Sequence, residues 1–236
     1  MQRQDSTRDQ GRVPLLADEF VTVYESPDPE RIYAYTPGLA RMDSGRLVAA
    51  TDQGGAGVVD LPGPKSADGD GGRPNQGRIH TSDDRGITWQ ERGLFPFMHA
   101  RPFVAGGAVY VLGHDQDLCV IRSDDQGETW SDPVRLTEGQ HWHQSACNVH
   151  HANGNVHLVM ERRVRFEIRG WPVGELAPVL MRGPEEADLT RSESWTFAEE
   201  LPFCAIEGDP KLIGVPFWAP GPTDPGSSQN DRKMNP

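Results

Sequence analysis

The pattern Ser-x-Asp-x-Gly-x-Thr-Trp occurs twice: at Ser82, Asp84, Gly86, Thr88 and Trp89, and 41 residues later at Ser123, Asp125, Gly127, Thr129 and Trp130. Self-similarity at about 40 residues points to stacked supersecondary units or propeller blades, each unable to bury its apolar face alone. The sequence around each copy agrees. Before the first motif come "YTPGLARMDS" (35–44), "RLVAATD" (46–52), a Gly- and Pro-rich loop and "RIHTS" (78–82); "ITWQERG" (87–93) follows. The second unit repeats the order with 100–107, 108–115, 118–123 and 128–136, and a third with 143–154, 155–162, 177–183 and 194–201. Gly or Asn-Gly stands between the first two segments of each unit, as tight hairpins require.

The expectation is therefore an all-β β-propeller with about three four-stranded blades, 30–95, 96–137 and 138–201. Residues 1–29 form an N-terminal segment. Residues 202–236 hold the start of a further blade and a tail, "DPGSSQNDRKMNP", of disordered composition. The motif has a structural explanation in the turn between third and fourth strands. Asp84 and Asp125 accept turn N–H groups, Gly86 and Gly127 take positive φ, and Trp89 and Trp130 pack between blades. In the third unit the motif has decayed to Trp195 and Thr196.

Composition narrows the function classes. With 26 Gly and 20 Pro in 236 residues, turns and short strands outnumber long helices. The net charge of −12 argues against nucleic acid as a partner. No run is long enough for a membrane span. Cys119, Cys147 and Cys204 make no disulfide framework. The start carries no apolar signal region, so the default compartment is the cytoplasm, or the periplasm or exterior if the N-terminus is incomplete.

The motif resembles the Asp-box of sialidases and related BNR-repeat proteins, and "YTPGLARMDSGRLVAATD" resembles the opening blade of a sialidase. The resemblance covers residues 30 to 200. It implies a six-bladed propeller, for which about 246 residues would be needed at this period, so the chain reads as an N-terminal portion. It also implies a glycoside hydrolase of the exo-α-sialidase class, with an arginine triad on the substrate carboxylate, an Asp acid/base and a Tyr–Glu nucleophile pair. Tyr35 stands where the first arginine belongs, with Arg31 four residues upstream. The Asp-x-Arg that closes the second strand reads Asp52-Gln53-Gly54. Acid/base candidates are Asp52 and the loop residues Asp60, Asp68 and Asp70, among which spacing does not choose. No Tyr–Glu pair is found. The expected function is a sialidase-like glycoside hydrolase acting on terminal sugars of glycans, incomplete or inactive as this chain; the alternative is a non-catalytic Asp-box propeller that binds carbohydrate or protein.

Propeller geometry places a ligand pocket at the starts of first strands and the ends of second strands. Those positions hold Tyr33, Tyr35, Asp52 and Gln53; His99, Arg101, His114 and Asp115; and His141, His143, Gln144, Glu161, Arg162 and Arg163. This set suits a glycan or small carbohydrate. Tyr35, Arg101, His114, His141, His143, Arg162 and Arg163 are the substrate-binding candidates, and Asp52, Asp60 and Glu161 the catalytic ones. His141 and His143 share one strand face. With Glu161 they could serve as a general-acid site, as hydrogen-bond donors or as metal ligands; without a third fixed ligand no metal is expected. No other cofactor is expected. "MERRVRFEIRG" (160–170) alternates, which predicts a strand running on past the third hairpin.

Overall fold

The computed structural model describes residues 20–67, 72–143, 149–167, 175–202 and 205. Among these residues, twelve strands make three four-stranded antiparallel sheets. The first contains β1 (Tyr33–Arg41), β2 (Leu47–Gly54), β3 (Gln76–Ser82) and β4 (Gln90–Phe95). The second contains β5 (Met98–Ala105), β6 (Ala108–Asp115), β7 (Asp117–Ser123) and β8 (Val134–Arg135). The third contains β9 (Val149–Ala152), β10 (Asn155–Arg163), β11 (Leu176–Pro184) and β12 (Thr196–Phe197). Each sheet is a simple meander in which sequence neighbours are hydrogen-bonded neighbours. Short 3₁₀ turns at Val58–Asp60 and Ser192–Ser194 lie in the connections. Among the described residues no helix is long and apolar enough to cross a membrane.

The sheets pack face to face, and strand composition explains the order. On β6 and β7, Val109, Val111, Cys119 and Ile121 join a core shared with Val48, Ala50 and Ile79 of the first sheet. Their alternates Tyr110, Leu112, Leu118 and Val120 join a core shared with Val156, Leu158, Met160 and Met181 of the third. The middle sheet is thus buried on both faces, which is why "AVYVL" and "LCVI" are continuous apolar runs. Among the described residues the third sheet is buried on one face only. Val159 and Leu180, cross-strand partners on its far face, are each 45% exposed.

Both motif turns have the same hydrogen-bond pattern. Ser82 Oγ donates to Asp84 Oδ1 (2.9 Å) and accepts from Gly86 N–H (2.8 Å), while Asp84 accepts from Thr88 N–H (2.8 Å) and Oγ1–H (2.6 Å). In the second copy Ser123, Asp125, Gly127 and Thr129 make the same four bonds at 2.7, 2.8, 2.9 and 2.6 Å. Gly86 and Gly127 sit at φ +89° and +86°, where a side chain would strain the backbone. Hydrogen bonds from Thr88 and Thr129 hold the Asp84 and Asp125 carboxyls down at about 2. A depressed carboxylate pKa gives stability that is present above the unfolded value near 3.8 and lost as pH falls through the folded one. An Asp84→Asn/Asp125→Asn double variant should therefore be less stable near neutral pH, and its stability should fall less than that of the wild type from about pH 5 to about pH 2. Urea melts across that range measure it; parallel pH profiles would show that the turns do not depend on these carboxylates.

The structure corrects several details. Trp89 and Trp130 are half-buried rather than core plates. Trp130 does lie between sheets, against Gly93 of β4, and its Nε1–H donates to Gly127 O (3.2 Å). Trp195, the survivor of the decayed third motif, is 6% exposed and belongs to the core between the second and third sheets. There Asp188 stands in for the motif carboxylate, accepting from Thr190 N–H (3.1 Å) and Oγ1–H (2.7 Å). The fourth strands of the second and third sheets are two residues long, shorter than 128–136 and 194–201 led us to expect. Finally, β10 stops at Arg163 instead of running on. The ladder makes one more bond, from Val164 N–H to Glu175 O (2.9 Å), and beyond it the chain turns onto the buried Glu175 carboxylate, which pairs with Arg163 (Nη2–Oε2 2.7 Å) and accepts from Glu167 N–H (2.5 Å). The rest of that stretch, 168–170, lies outside the described residues, as do most of 1–29 and of 202–236.

Candidate functional site

The site is built on two backbone irregularities that recur. On β1 the register jumps between Tyr35 and Gly38, and on β5 between Met98 and Arg101. Each bulge contains a non-glycine residue at positive φ, Thr36 (+53°) and His99 (+51°). Bulges re-aim side chains, and strained φ at equivalent places is a common accompaniment of functional sites. Opposite each bulge the second strand carries an ionisable residue. Asp52 pairs with Tyr35, and His114 pairs with Met98. In the third sheet Glu161 takes this position: Ala108 and Asn155 close the two hairpins, and His114 and Glu161 stand equally far along from them. The Glu161 carbonyl accepts from His143 N–H (2.9 Å).

His99 is the hub. Its backbone N–H donates to Asp52 Oδ2, and Ala100 N–H reaches Asp52 Oδ1 (3.5 Å). The His99 ring lies 6.2 Å from Tyr35 and 5.8 Å from His143, centroid to centroid. His99 Nδ1 is 2.9 Å from His114 Nε2, and both nitrogens contact the His143 carbonyl. A carbonyl only accepts, so each of these nitrogens carries its proton toward it. Burial pushes His114 well below the ordinary imidazole range, helped by the neighbouring His99 and His143, which keeps it neutral. Burial also pushes the fully enclosed Asp52 carboxyl up to about 7, against the opposing pull of the His99 and Ala100 N–H groups and of Arg101. Glu161 is raised by the same desolvation. A cavity of about 160 Å³ opens beside this cluster, lined by His114, Asp115, Gln116, His141, His143 and Arg163 among others.

No family model matches the chain, and no curated protein matches it in sequence. Solved structures do match. An α-L-arabinofuranosidase from Lactobacillus brevis superposes with a TM-score of 0.50 at 16% identity, over 74% of this chain and 58% of that one. The fold is shared. A protein of unknown function from Dyadobacter fermentans (TM-score 0.47, 18% identity) covers 75% of this chain and 52% of its own length. A Hadza microbial sialidase (0.45, 14%) covers 71% and 37%. The chain thus spans 58% of the first of these relatives and less of the others.

The candidate residues separate into two groups. Tyr35, Asp52, His114 and His143 come together around His99, and His141 and Arg163 line the cavity. Tyr35 Oη donates to Asn75 Oδ1 (2.9 Å). The others lie elsewhere. Asp60 is exposed and paired with Arg31 (2.9 Å). Arg101 Nη1 donates to Thr36 O (2.9 Å) and Pro37 O (2.8 Å), bracing the two bulges against each other. Arg162 projects to the opposite face of its strand from Glu161 and Arg163 and pairs with Glu200 (2.7 Å). Asp68, Asp70 and Gln144 fall outside the described residues.

Sequence reasoning missed the central role of His99 and the supporting residues Asn75, Asp117 and Glu175. Asp117 is 7% exposed and accepts from Thr137 Oγ1–H (2.7 Å), Gly139 N–H (2.9 Å) and Gln140 N–H (3.0 Å), so it shapes the loop leading to His141. One signal was available. Asp52 and His114 stand 62 residues apart while the motifs stand 41 apart, the difference being the long loop after β2. Aligning the hairpins, as the grouping of strand ends does, pairs the two, but it does not reach the bulge at His99.

Proposed function

We propose that the three sheets are consecutive blades of an Asp-box, sialidase-like propeller (30–95, 96–137 and 138–201), and that the chain holds a terminal sugar of a glycan in the cavity beside His99. The observation that carries this reading is the recurrence of Asp52, His114 and Glu161 at one register position in three successive sheets, with His114 lining a polar cavity. The imidazoles of His114, His141 and His143, the Asp115 carboxyl and the Arg163 guanidinium around a small cavity match the alternating donors and acceptors of a polyhydroxylated ring. Asp52 acts in this scheme as a positioning residue. It is buried, and its oxygens meet backbone N–H groups that fix the His99 bulge. His141 and His143 line the cavity, and Glu161, bonded through its carbonyl to His143 N–H, is the general-acid candidate.

Hydrolysis of sialosides is not expected of this chain. Its four tyrosines, Tyr24, Tyr33, Tyr35 and Tyr110, offer no Tyr–Glu nucleophile pair, and Tyr35 occupies the first arginine's place. The test pairs a glycan-binding screen with turnover of fluorogenic sialosides and arabinofuranosides. Saccharide binding that is weakened in His143→Ala, with no sialoside turnover, is the expected result. Sialoside turnover abolished by Glu161→Gln would reinstate the sialidase, and absence of any saccharide binding would remove the reading altogether.

A further inference from the structure

A second cavity lies back to back with the first. At the end of the third sheet, Trp142 pairs with Arg162 in an antiparallel bridge. Alternation sends His141, His143 and Arg163 to one side, and Trp142 and Arg162 to the other. On that other side is a cleft of about 330 Å³, within the range of small-molecule sites. Its walls include Thr137, Gln140, Trp142, Arg162, Phe197 and Glu200.

We propose that this cleft is a carbohydrate subsite for the sugar that follows the terminal one. The proposal rests on the reading above for the terminal sugar and adds where the chain of sugars goes next. Trp142 lines both cavities, so they meet at this residue at the end of the sheet. Phe197 is 37% exposed and lies 6.0 Å from Trp142, tilted by 40°. Phe197 gives the apolar face of a sugar ring a platform, backed by the Trp142 ring, which is 5% exposed. The Arg162–Glu200 pair (Nε–Oε2 2.7 Å) puts donors and acceptors at the rim, the combination a vicinal diol needs. Gln140 adds an amide.

The cleft is also held in shape before any ligand arrives. Trp142 Nε1–H donates to Thr137 Oγ1 (3.2 Å), whose hydroxyl donates to buried Asp117 (2.7 Å). The same carboxylate accepts from the Gln140 backbone N–H, so one buried group fixes both the indole and the chain at Gln140. Preorganisation of this kind lowers the cost of binding. Both walls, the 137–142 loop and the third sheet, are core-facing: Trp142 and Val179 belong to the core between the second and third sheets, so the cleft is not the sheet's open far face.

The test is calorimetric titration of the whole chain with two matched pairs, arabinose with arabinobiose and N-acetylneuraminic acid with 3′-sialyllactose. In the pair that binds, the longer saccharide should bind about tenfold tighter than the monosaccharide. Gln140→Ala and, separately, Phe197→Ala should remove most of that advantage and leave monosaccharide affinity unchanged; His143→Ala should weaken both sugars alike. Thermal melts establish that each variant is folded. If monosaccharide and longer saccharide bind equally, or the advantage survives in both cleft variants, the subsite is wrong while the terminal-sugar reading stands. If neither pair binds the wild type, both fall.

Discussion

Trp195→Ala should destabilise the protein by about 3–5 kcal/mol, the cost of truncating a large aromatic in a core. Trp130→Ala should cost less, and Trp89→Ala least. Trp195 is 6% exposed, packs edge-on against Phe103 of the second sheet (6.4 Å, 80°) and donates its Nε1–H to Leu189 O (3.0 Å). Its removal opens a void between two sheets and orphans a buried carbonyl. Trp130 is half-buried against Gly93 and the edge of the other core cluster. Trp89 belongs to the first sheet, and its indole lies over its own turn at Gly86. The order runs against motif quality, because the decayed third motif carries the most buried of the three indoles. Denaturant melts of the three variants measure it. A Trp89→Ala loss equal to that of Trp195→Ala would show that the turn motif, rather than packing between sheets, sets the stability.

Asp52 is the second position of large effect. Asp52→Ala leaves the buried N–H groups of His99 and Ala100 without their acceptor, for a cost on the order of 3 kcal/mol at mildly acidic pH. Asp52→Asn keeps one acceptor and resembles the protonated acid. The carboxyl's folded pKa, about 7, is raised above the ordinary value of 3.8. The stability that its proton contributes is therefore fully present below about 4 and is lost as pH rises through about 7. Buried His114 and His80 work in the opposite direction, since their lowered pKa values remove stability as pH falls. Both are present in the wild type and in Asp52→Asn, so comparing the two isolates the carboxyl. The wild type should lead Asp52→Asn by more at about pH 5 than at about pH 8. A lead that grows with pH would mean that Asp52 is held as a carboxylate, and the account of the His99 bulge would have to change.

The architecture was largely legible in the sequence because it depends on local, repeated information. Hairpin residues, the two Ser-x-Asp-x-Gly-x-Thr-Trp turns and uninterrupted apolar runs are each decided within a few residues of one another. From them came the all-β class, the meander order and the bonds made by Asp84 and Asp125. The double burial of the middle sheet was already written in "AVYVL" and "LCVI". The end of the strand at Arg163 was not legible because alternation cannot register that the buried Glu175 carboxylate takes up the Glu167 N–H that a continuing ladder would use.

The site depends on a different kind of information. Asp52 meets His99 across 47 residues, and His99 meets the His143 carbonyl across 44. Nothing local marks a bulge at His99, since histidine at positive φ is tolerated only when the surrounding fold over-determines it. The parity of β10 was readable, so the sequence by itself determined that Arg162 and Arg163 face opposite ways. Only the tertiary structure decided that one side of that strand meets the imidazole cluster and the other meets Trp142, Phe197 and Glu200. Side-chain direction follows from strand period, but what a side chain meets follows from how separate sheets pack, and that is settled by contacts between residues remote in the chain.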